Sequence, residues 1–252
     1  MKTLSRRELR EMKHFDAIAN QYDVTYHYDK PFTKYKANKK AKEFTNIIKS
    51  VFTERNPKIL EVGCGTGEYT YRVAQKLSKA KIIGLDISKN VILLAKKRCA
   101  RYKNVEFVNE SVYKTNFRKN TFDAVFGFYI LHHLDITSFR KELYKILKKE
   151  GVAFFYEPNI LNPIVYLVKS NKYLKKMVSD TSDEWAINPL KIRGIFKGFD
   201  VVRLKTTEFY PPFLFLPDRL KIFLDKILSS IFGKIPIINL MGGSVLICLR
   251  KK

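Results

Sequence analysis

Short apolar runs bounded by turn residues occur at 58–62, 81–85, 105–108, 121–128, 152–156, 199–206 and 243–249. Runs of this length predict strands, and the near-continuous ones predict strands buried on both faces. Between them, apolar residues recur at helical spacing. Ser5 and Glu8 form a capping box that opens a helix carrying Leu9, Met12, Phe15 and Tyr22. Ala37, Ala41, Phe44, Ile48 and Val51 share a face of a second helix that ends before Pro57. Tyr69, Val73 and Leu77 mark a third, and Val91, Leu94, Ala95 and Cys99, behind a Ser88 cap, a fourth. Phe139, Leu143, Ile146 and Leu147 predict a helix opened by Asp135 or Thr137 and closed by Gly151. One helix is expected over 163–178, and another runs from the Asn188-Pro189 cap to Gly198. Strand and helix alternate, so the pattern predicts an α/β fold around a mostly parallel sheet.

At 252 residues the chain is expected to form a single domain spanning 1–252. The pattern divides it into an N-terminal helical cap (1–56), a core (57–209), an insertion (210–241) and a last strand (242–252). Cys64, Cys99 and Cys248 are widely separated and suggest neither a disulfide framework nor a metal cluster. That usage, an N-terminus without the apolar centre of a secretory signal, and no apolar run of about 18 residues predict a cytoplasmic protein. The formal net charge of +24 fits an anionic partner, a membrane surface or nucleic acid, or equally a lysine-rich solvated surface. The basic residues are spread along the whole chain.

Chemistry concentrates at Glu61-Val-Gly-Cys-Gly-Thr-Gly67, where the first strand breaks through alternate glycines into a helix. Such a turn bares backbone N–H groups and admits a ligand close to the main chain. A dinucleotide fingerprint, G-x-G-x-x-G, does not fit: Glu68 or Thr70 stands where its third glycine belongs. The acidic-x-G-x-G-x-G run resembles the first motif of the class I S-adenosylmethionine (SAM) dependent methyltransferases. The resemblance implies a Rossmann-like sheet of seven strands, the last one antiparallel and inserted beside the fifth. It also implies SAM as cofactor, held around Glu61, Gly63, Cys64, Gly65 and Gly67. Asp86, at the end of the second strand, matches the ribose-binding acid, and Ile87 packs on the adenine. Asn109-Glu-Ser-Val112 aligns with the segment that binds the adenine amino group, which implicates Glu110, Ser111 and Val112. The 14–23 segment resembles the helix that closes over the cofactor, with Tyr22 near the sulfonium, and Phe128 ends the fourth strand at the same crevice.

The acceptor side is less defined. Tyr26, Tyr28 and Phe32 follow in a polar loop that could line the substrate mouth. His132 or His133 is a candidate general base, the alternative being a residue that packs and caps a turn. Glu157 stands at the tip of the fifth strand and orients substrate, takes a proton as a candidate catalytic residue, or serves a helix entry. The Asn/Asp-Pro-Pro-aromatic signature of enzymes acting on exocyclic base amines is absent. The insertion opens with an apolar approach at 213–216 and continues into a helix with Leu220, Phe223, Leu224, Ile227, Leu228, Ile231 and Phe232 on one side. Lys221, Asp225, Lys226, Ser229 and Ser230 occupy the other. That helix lies in a membrane interface, walls an apolar substrate cleft, or packs on its own domain. The leading expectation is methyl transfer to a small-molecule or lipid-linked acceptor at a membrane surface. An RNA methyltransferase and a non-catalytic SAM-binding partner protein are the alternatives.

Overall fold

The computed structural model describes residues 4–53, 56–178, 180–181, 184–209 and 216–252. The apolar approach expected from Phe213 lies outside them, apart from Leu216. Among the described residues the strands β1 (Lys58–Val62), β2 (Lys81–Asp86), β3 (Val105–Asn109), β4 (Phe122–Phe128), β5 (Leu147–Pro158), β6 (Phe199–Thr207) and β7 (Ser244–Lys251) form one sheet. Its order is β3-β2-β1-β4-β5-β7-β6. The first five strands pair in parallel, and β7 lies antiparallel between β5 and β6. The chain leaves β1 toward β2 and β3, then returns to β1's other side as β4. That reversal opens a crevice at the C-terminal strand ends, where ligands of open parallel sheets bind.

Successive strand residues point to opposite faces, so each strand feeds two cores. On one face, Leu60 and Val62 of β1, Val125 of β4 and Phe155 of β5 pack with Phe139, Leu143 and Ile146. These last three lie on the helix Ile136–Ile146. On the other face, Ile59, Phe126, Phe154 and Leu246 meet Phe44 and Ile48.

The helices, in chain order, are α1 (Arg6–Ile18), α2 (Tyr22–Thr25), α3 (Pro31–Val51), α4 (Glu68–Lys76), α5 (Lys89–Arg98), α6 (Ile136–Ile146), α7 (Pro163–Ser170), α8 (Lys172–Met177), α9 (Ile192–Ile195) and α10 (Asp218–Phe232). The caps expected at Ser5, Ser88 and Asp135 form, each side chain accepting an N–H of the first turn.

Four boundaries differ from expectation, the first being the helix expected from Asn188 to Gly198, which is a 3₁₀ turn, Pro189–Lys191, followed by α9 ending at Ile195. Tyr22 does not continue α1: a 3₁₀ turn, Ala19–Gln21, separates the two and redirects the chain over the sheet edge. Residues 163–178 form two helices, because Asn171 accepts from the N–H groups of Tyr173 and Leu174 and restarts the helix. Gly151 does not end α6. The helix stops at Ile146, and β5 begins at Leu147, where Leu147 pairs with Phe122 beside a bulge.

Candidate active site

The turn after β1 is left-handed at each glycine, with φ of 66° at Gly63, 51° at Gly65 and 80° at Gly67. Side chains are also sterically excluded there. A Cβ on Gly63 would stand 2.5 Å from Ile130 Cδ1, and one on Gly65 2.7 Å from the Tyr22 hydroxyl. Asp86 closes the turn from the neighbouring strand. The Gly65 N–H donates to its Oδ2 at 2.8 Å, and the Ser88 N–H donates to its Oδ1 at 3.0 Å. Burial raises the Asp86 pKa, against the hydrogen bonds from Ser88 and Gly65. Backbone hydrogen bonds from Gly65, Ser88 and Ile87 reach the Asp86 carboxylate, which has four acceptor lone pairs and so keeps capacity for a ligand. A pair of ribose hydroxyls fits that capacity.

A cavity of about 420 Å³ lies over the turn. Tyr22, Gly63, Gly65, Asp86, Ile87, Ser111, Val112, Phe128 and His132 all line it. Tyr26, Tyr28 and Tyr69 add aromatic wall, and the Tyr69 and Phe128 rings stack at 3.9 Å. Aromatic faces attract a cation, so this wall suits a sulfonium. The roof is α1 and α2, fastened by polar contacts: Ser88 Oγ donates to Asp16 at 2.5 Å, Thr66 Oγ1 to Asp23 at 2.9 Å, Arg98 to Asp23, and Ser111 to Glu8.

Other expected residues stand outside the cavity. Glu61 is buried beneath the turn and accepts from Thr70; burial pushes its pKa up to about 8. Cys64 packs under Gly84, and Gly67 faces Ala95 of α5. Glu110 turns away, accepting from the backbone and side-chain amides of Asn116 at 3.1 and 2.7 Å. Asn109, standing before it, donates to the carbonyls of Asp86 and Ile87 and ties β3 to the end of β2.

Glu157 is wholly buried and accepts from the N–H groups of Ile130 and Leu131 at 2.9 and 2.8 Å. Its Oε2 lies 2.7 Å from His132 Nδ1. Glu157 therefore holds the turn after β4 and orients the imidazole; it does not face the cavity. His132 Nε2 lies 3.5 Å from Glu184 Oε2. Burial disfavours the imidazolium, but hydrogen bonds to Glu157 and Glu184 outweigh it and raise the His132 pKa. His133 Nδ1 meets Glu11 Oε2 at 2.9 Å. His132, His133 and Glu184 bring three metal-capable atoms within 4.8 Å of one another, each imidazole facing carboxylates.

Sequence reasoning missed a second polar group. Lys40 of α3, only 3% exposed, donates to the Tyr129 hydroxyl and pairs with Glu208 Oε1 at 2.8 Å. The Tyr129 hydroxyl lies 3.3 Å from Glu208 Oε2 and 3.2 Å from Ser244 Oγ. Burial and Glu208 push the Tyr129 pKa up; burial of Glu208 is outweighed by Lys36 and Lys40, which hold its carboxyl well below the usual range. Tyr129 and Glu208 both have left-handed backbones, with φ of 57° and 64°. Non-glycine residues rarely adopt this conformation, and it concentrates where a site needs a particular side-chain aim. The one available signal was a lysine on the inward face of the α3 pattern, beside Ala37 and Ala41.

Fold and crevice together define a nucleoside-binding α/β protein. Residues 59–151 match the family model described as a methyltransferase domain. The demethylmenaquinone methyltransferase of Chlorobaculum parvum is 33% identical over 186 residues, covering 70% of this chain and 72% of that protein. The Chlorobaculum tepidum protein of the same name is 32% identical over the same shares. A SAM-dependent methyltransferase structure from Thermotoga maritima matches 95% of this chain and 99% of its own, with a TM-score of 0.62 at 19% identity. The plantazolicin methyltransferase, solved with SAH, matches 96 and 97% with a TM-score of 0.60 at 16% identity. The chain belongs to the class I SAM-dependent methyltransferases. It is an enzyme that uses SAM, and the expectation of a non-catalytic partner protein is set aside.

Proposed function

We propose that the enzyme methylates a small, lipid-linked acceptor of the quinone class, working at a membrane surface. The observation that carries this reading is the 33% identity to a demethylmenaquinone methyltransferase across most of both chains. An aromatic-walled cavity beside the glycine turn supports it. In this reading Asp86 takes the ribose hydroxyls, the amides around Gly63 and Gly65 carry the polar end of SAM, and Ile87 and Val112 flank the adenine. Bound SAM supplies a methyl carbon on a sulfonium, already an activated leaving group. The chain's work is therefore alignment, and effective molarities of ~10⁵–10⁸ M correspond to roughly 7–11 kcal/mol of barrier. Lys40 and Tyr129 face the cavity as hydrogen-bond partners for the acceptor's ionised oxygen, which gives up negative charge as its electrons flow toward the new bond to the methyl carbon. Tyr129, kept undissociated by burial, acts there as a donor and not as a base. His132 and Glu157 position the turn that carries Tyr129 and Ile130.

The reading treats 1–252 as one methyltransferase domain, with 1–56 as its cap and 210–241 as a membrane-facing insertion. Exposed Phe223, Ile227 and Ile231 on α10, together with the net charge of +24, support contact with an anionic bilayer. Among the described residues no helix is long and apolar enough to cross one. The test is incubation with methyl-labelled SAM and a demethylated naphthoquinol, with bulk RNA in parallel. Label should appear in the quinone; label in RNA, or in neither, overturns the reading.

A further inference from the structure

A second cavity, of about 450 Å³, adjoins the first on the side away from Asp86. The two share Lys36, Tyr129, Pro158, Lys169, Val178 and Asp180 as a common boundary. Beyond it the walls are Ile164, Val165 and Val168 of α7, Phe32 of α3, and Phe209. Most charged groups at its rim are paired, while Lys36 stands 3.8 Å from Glu208 Oε1 and Asp225 Oδ1 has no hydrogen-bond partner among the described residues. Lys169 pairs with Asp180 at 2.7 Å, Lys40 with Glu208 at 2.8 Å, and Lys39 with Asp225 at 2.8 Å. The chamber therefore offers an incoming ligand mainly apolar surface. None of the three α7 residues belongs to either buried core.

We propose that this chamber binds the apolar tail of the acceptor while the reacting ring occupies the first cavity. The inference rests on the quinone-class reading and deepens it. Each cavity alone has the volume of one drug-sized ligand, and the first must already house the adenosyl group. A long hydrocarbon substituent needs a separate compartment, entered beside the atom that reacts. Tyr129 stands at that junction, lining both cavities, with its hydroxyl anchored by Lys40. On its outer side α7 exposes Tyr166 and Leu167, 55 and 57% accessible, next to the wall residues Val165 and Val168. The apolar wall thus continues onto an apolar exterior, and a tail can pass from a bilayer into the chamber without crossing water.

The experiment uses the full chain with SAM and naphthoquinols that carry no side chain or prenyl chains of increasing length, presented in detergent. The catalytic efficiency, kcat/KM, should rise with chain length by at least ~tenfold, then level off once the chamber is full. Val168→Trp should collapse that preference by about the same factor, with SAM affinity and melting temperature read as controls for folding. Should this variant fail to bind SAM, Ile164→Trp takes its place. Equal kcat/KM for tailless and long-tailed acceptors overturns the proposal, as does a length preference that survives the tryptophan. If tailless naphthoquinol is methylated but length has no effect, the chamber fails and the quinone reading stands. If SAM binds and no naphthoquinol is methylated, the acceptor reading fails and takes the chamber with it.

Discussion

In α3 the apolar positions Ala37, Ala41, Phe44 and Ile48 are at most 1% exposed, whereas in α10 Phe223, Ile227 and Ile231 stand 57, 37 and 50% exposed. Both helices have apolar residues at the spacing that lines one face. α3 turns that face onto the sheet, where Phe44 packs on Phe126 and Phe154 at 4.4 and 5.2 Å. α10 instead buries Asp225, 1% exposed, which accepts from Lys39 and Tyr35 of α3 at 2.8 and 3.1 Å. Periodicity therefore says which residues share a face and leaves open what that face meets. In α3 the stripe stabilises the fold, and in α10 Phe223, Ile227 and Ile231 stay exposed.

The comparison breaks most visibly through Phe44. Phe44→Ala should lower unfolding free energy by about 3–5 kcal/mol in denaturant titration, since it empties a fully buried site. A loss below ~1 kcal/mol would mean that α3 is not fastened through its stripe. At the site between the helices and the sheet edge, Asp86→Ala should weaken SAM binding at least tenfold, about 1.4 kcal/mol, by calorimetry. An unchanged dissociation constant would remove Asp86 from the nucleoside site. Next comes pH. The Glu184 pKa is lowered: burial opposes this, but the hydrogen bond and charge of His132 and the charge of His133 outweigh it. That stabilisation is present above the carboxyl's ordinary 4.5 and lost as pH falls below it. His132 is raised, so its share is complete below its ordinary 6.5 and lost as pH rises through the higher folded value. Thermal stability should therefore peak between those values, and His132→Gln should flatten the alkaline side; an unaltered profile would detach His132 from both carboxylates. The smallest effect on folding belongs to α10. Phe223, Ile227 and Ile231 replaced together by Ser should change stability by no more than about 0.5 kcal/mol per site. Association with anionic liposomes should nonetheless disappear in flotation; retained binding would refute the outward role of the stripe.

The same contrast explains what was legible beforehand. The strands, the glycine turn and the caps at Ser5, Ser88 and Asp135 depend on neighbours within a few residues, and local pattern reported them. The antiparallel last strand came through resemblance to the family. The end of α6 was misplaced because Gly151 is a credible stop, while the actual stop at Ile146 is set by Leu147 pairing with Phe122 across the sheet. Glu110 aligned with an adenine-binding acid, yet its side chain is spent on Asn116, six positions on. Lys40, Tyr129 and Glu208 come from three distant segments and meet only because α3 packs over the end of β4. The left-handed backbones of Tyr129 and Glu208 leave no trace in residue type.

The roof over the glycine turn has one more consequence. With the Tyr22 hydroxyl 2.7 Å from where a Cβ on Gly65 would stand, no nucleoside can slip between the two. A nucleoside passing on that side would have to displace α1 and α2. Among the contacts that restrain them are hydroxyl hydrogen bonds to Glu8 and Asp16 and the Arg98–Asp23 ion pair, the last of which dissolved ions screen. The exchange rate of the nucleoside should accordingly quicken with ionic strength while the sheet beneath stays intact.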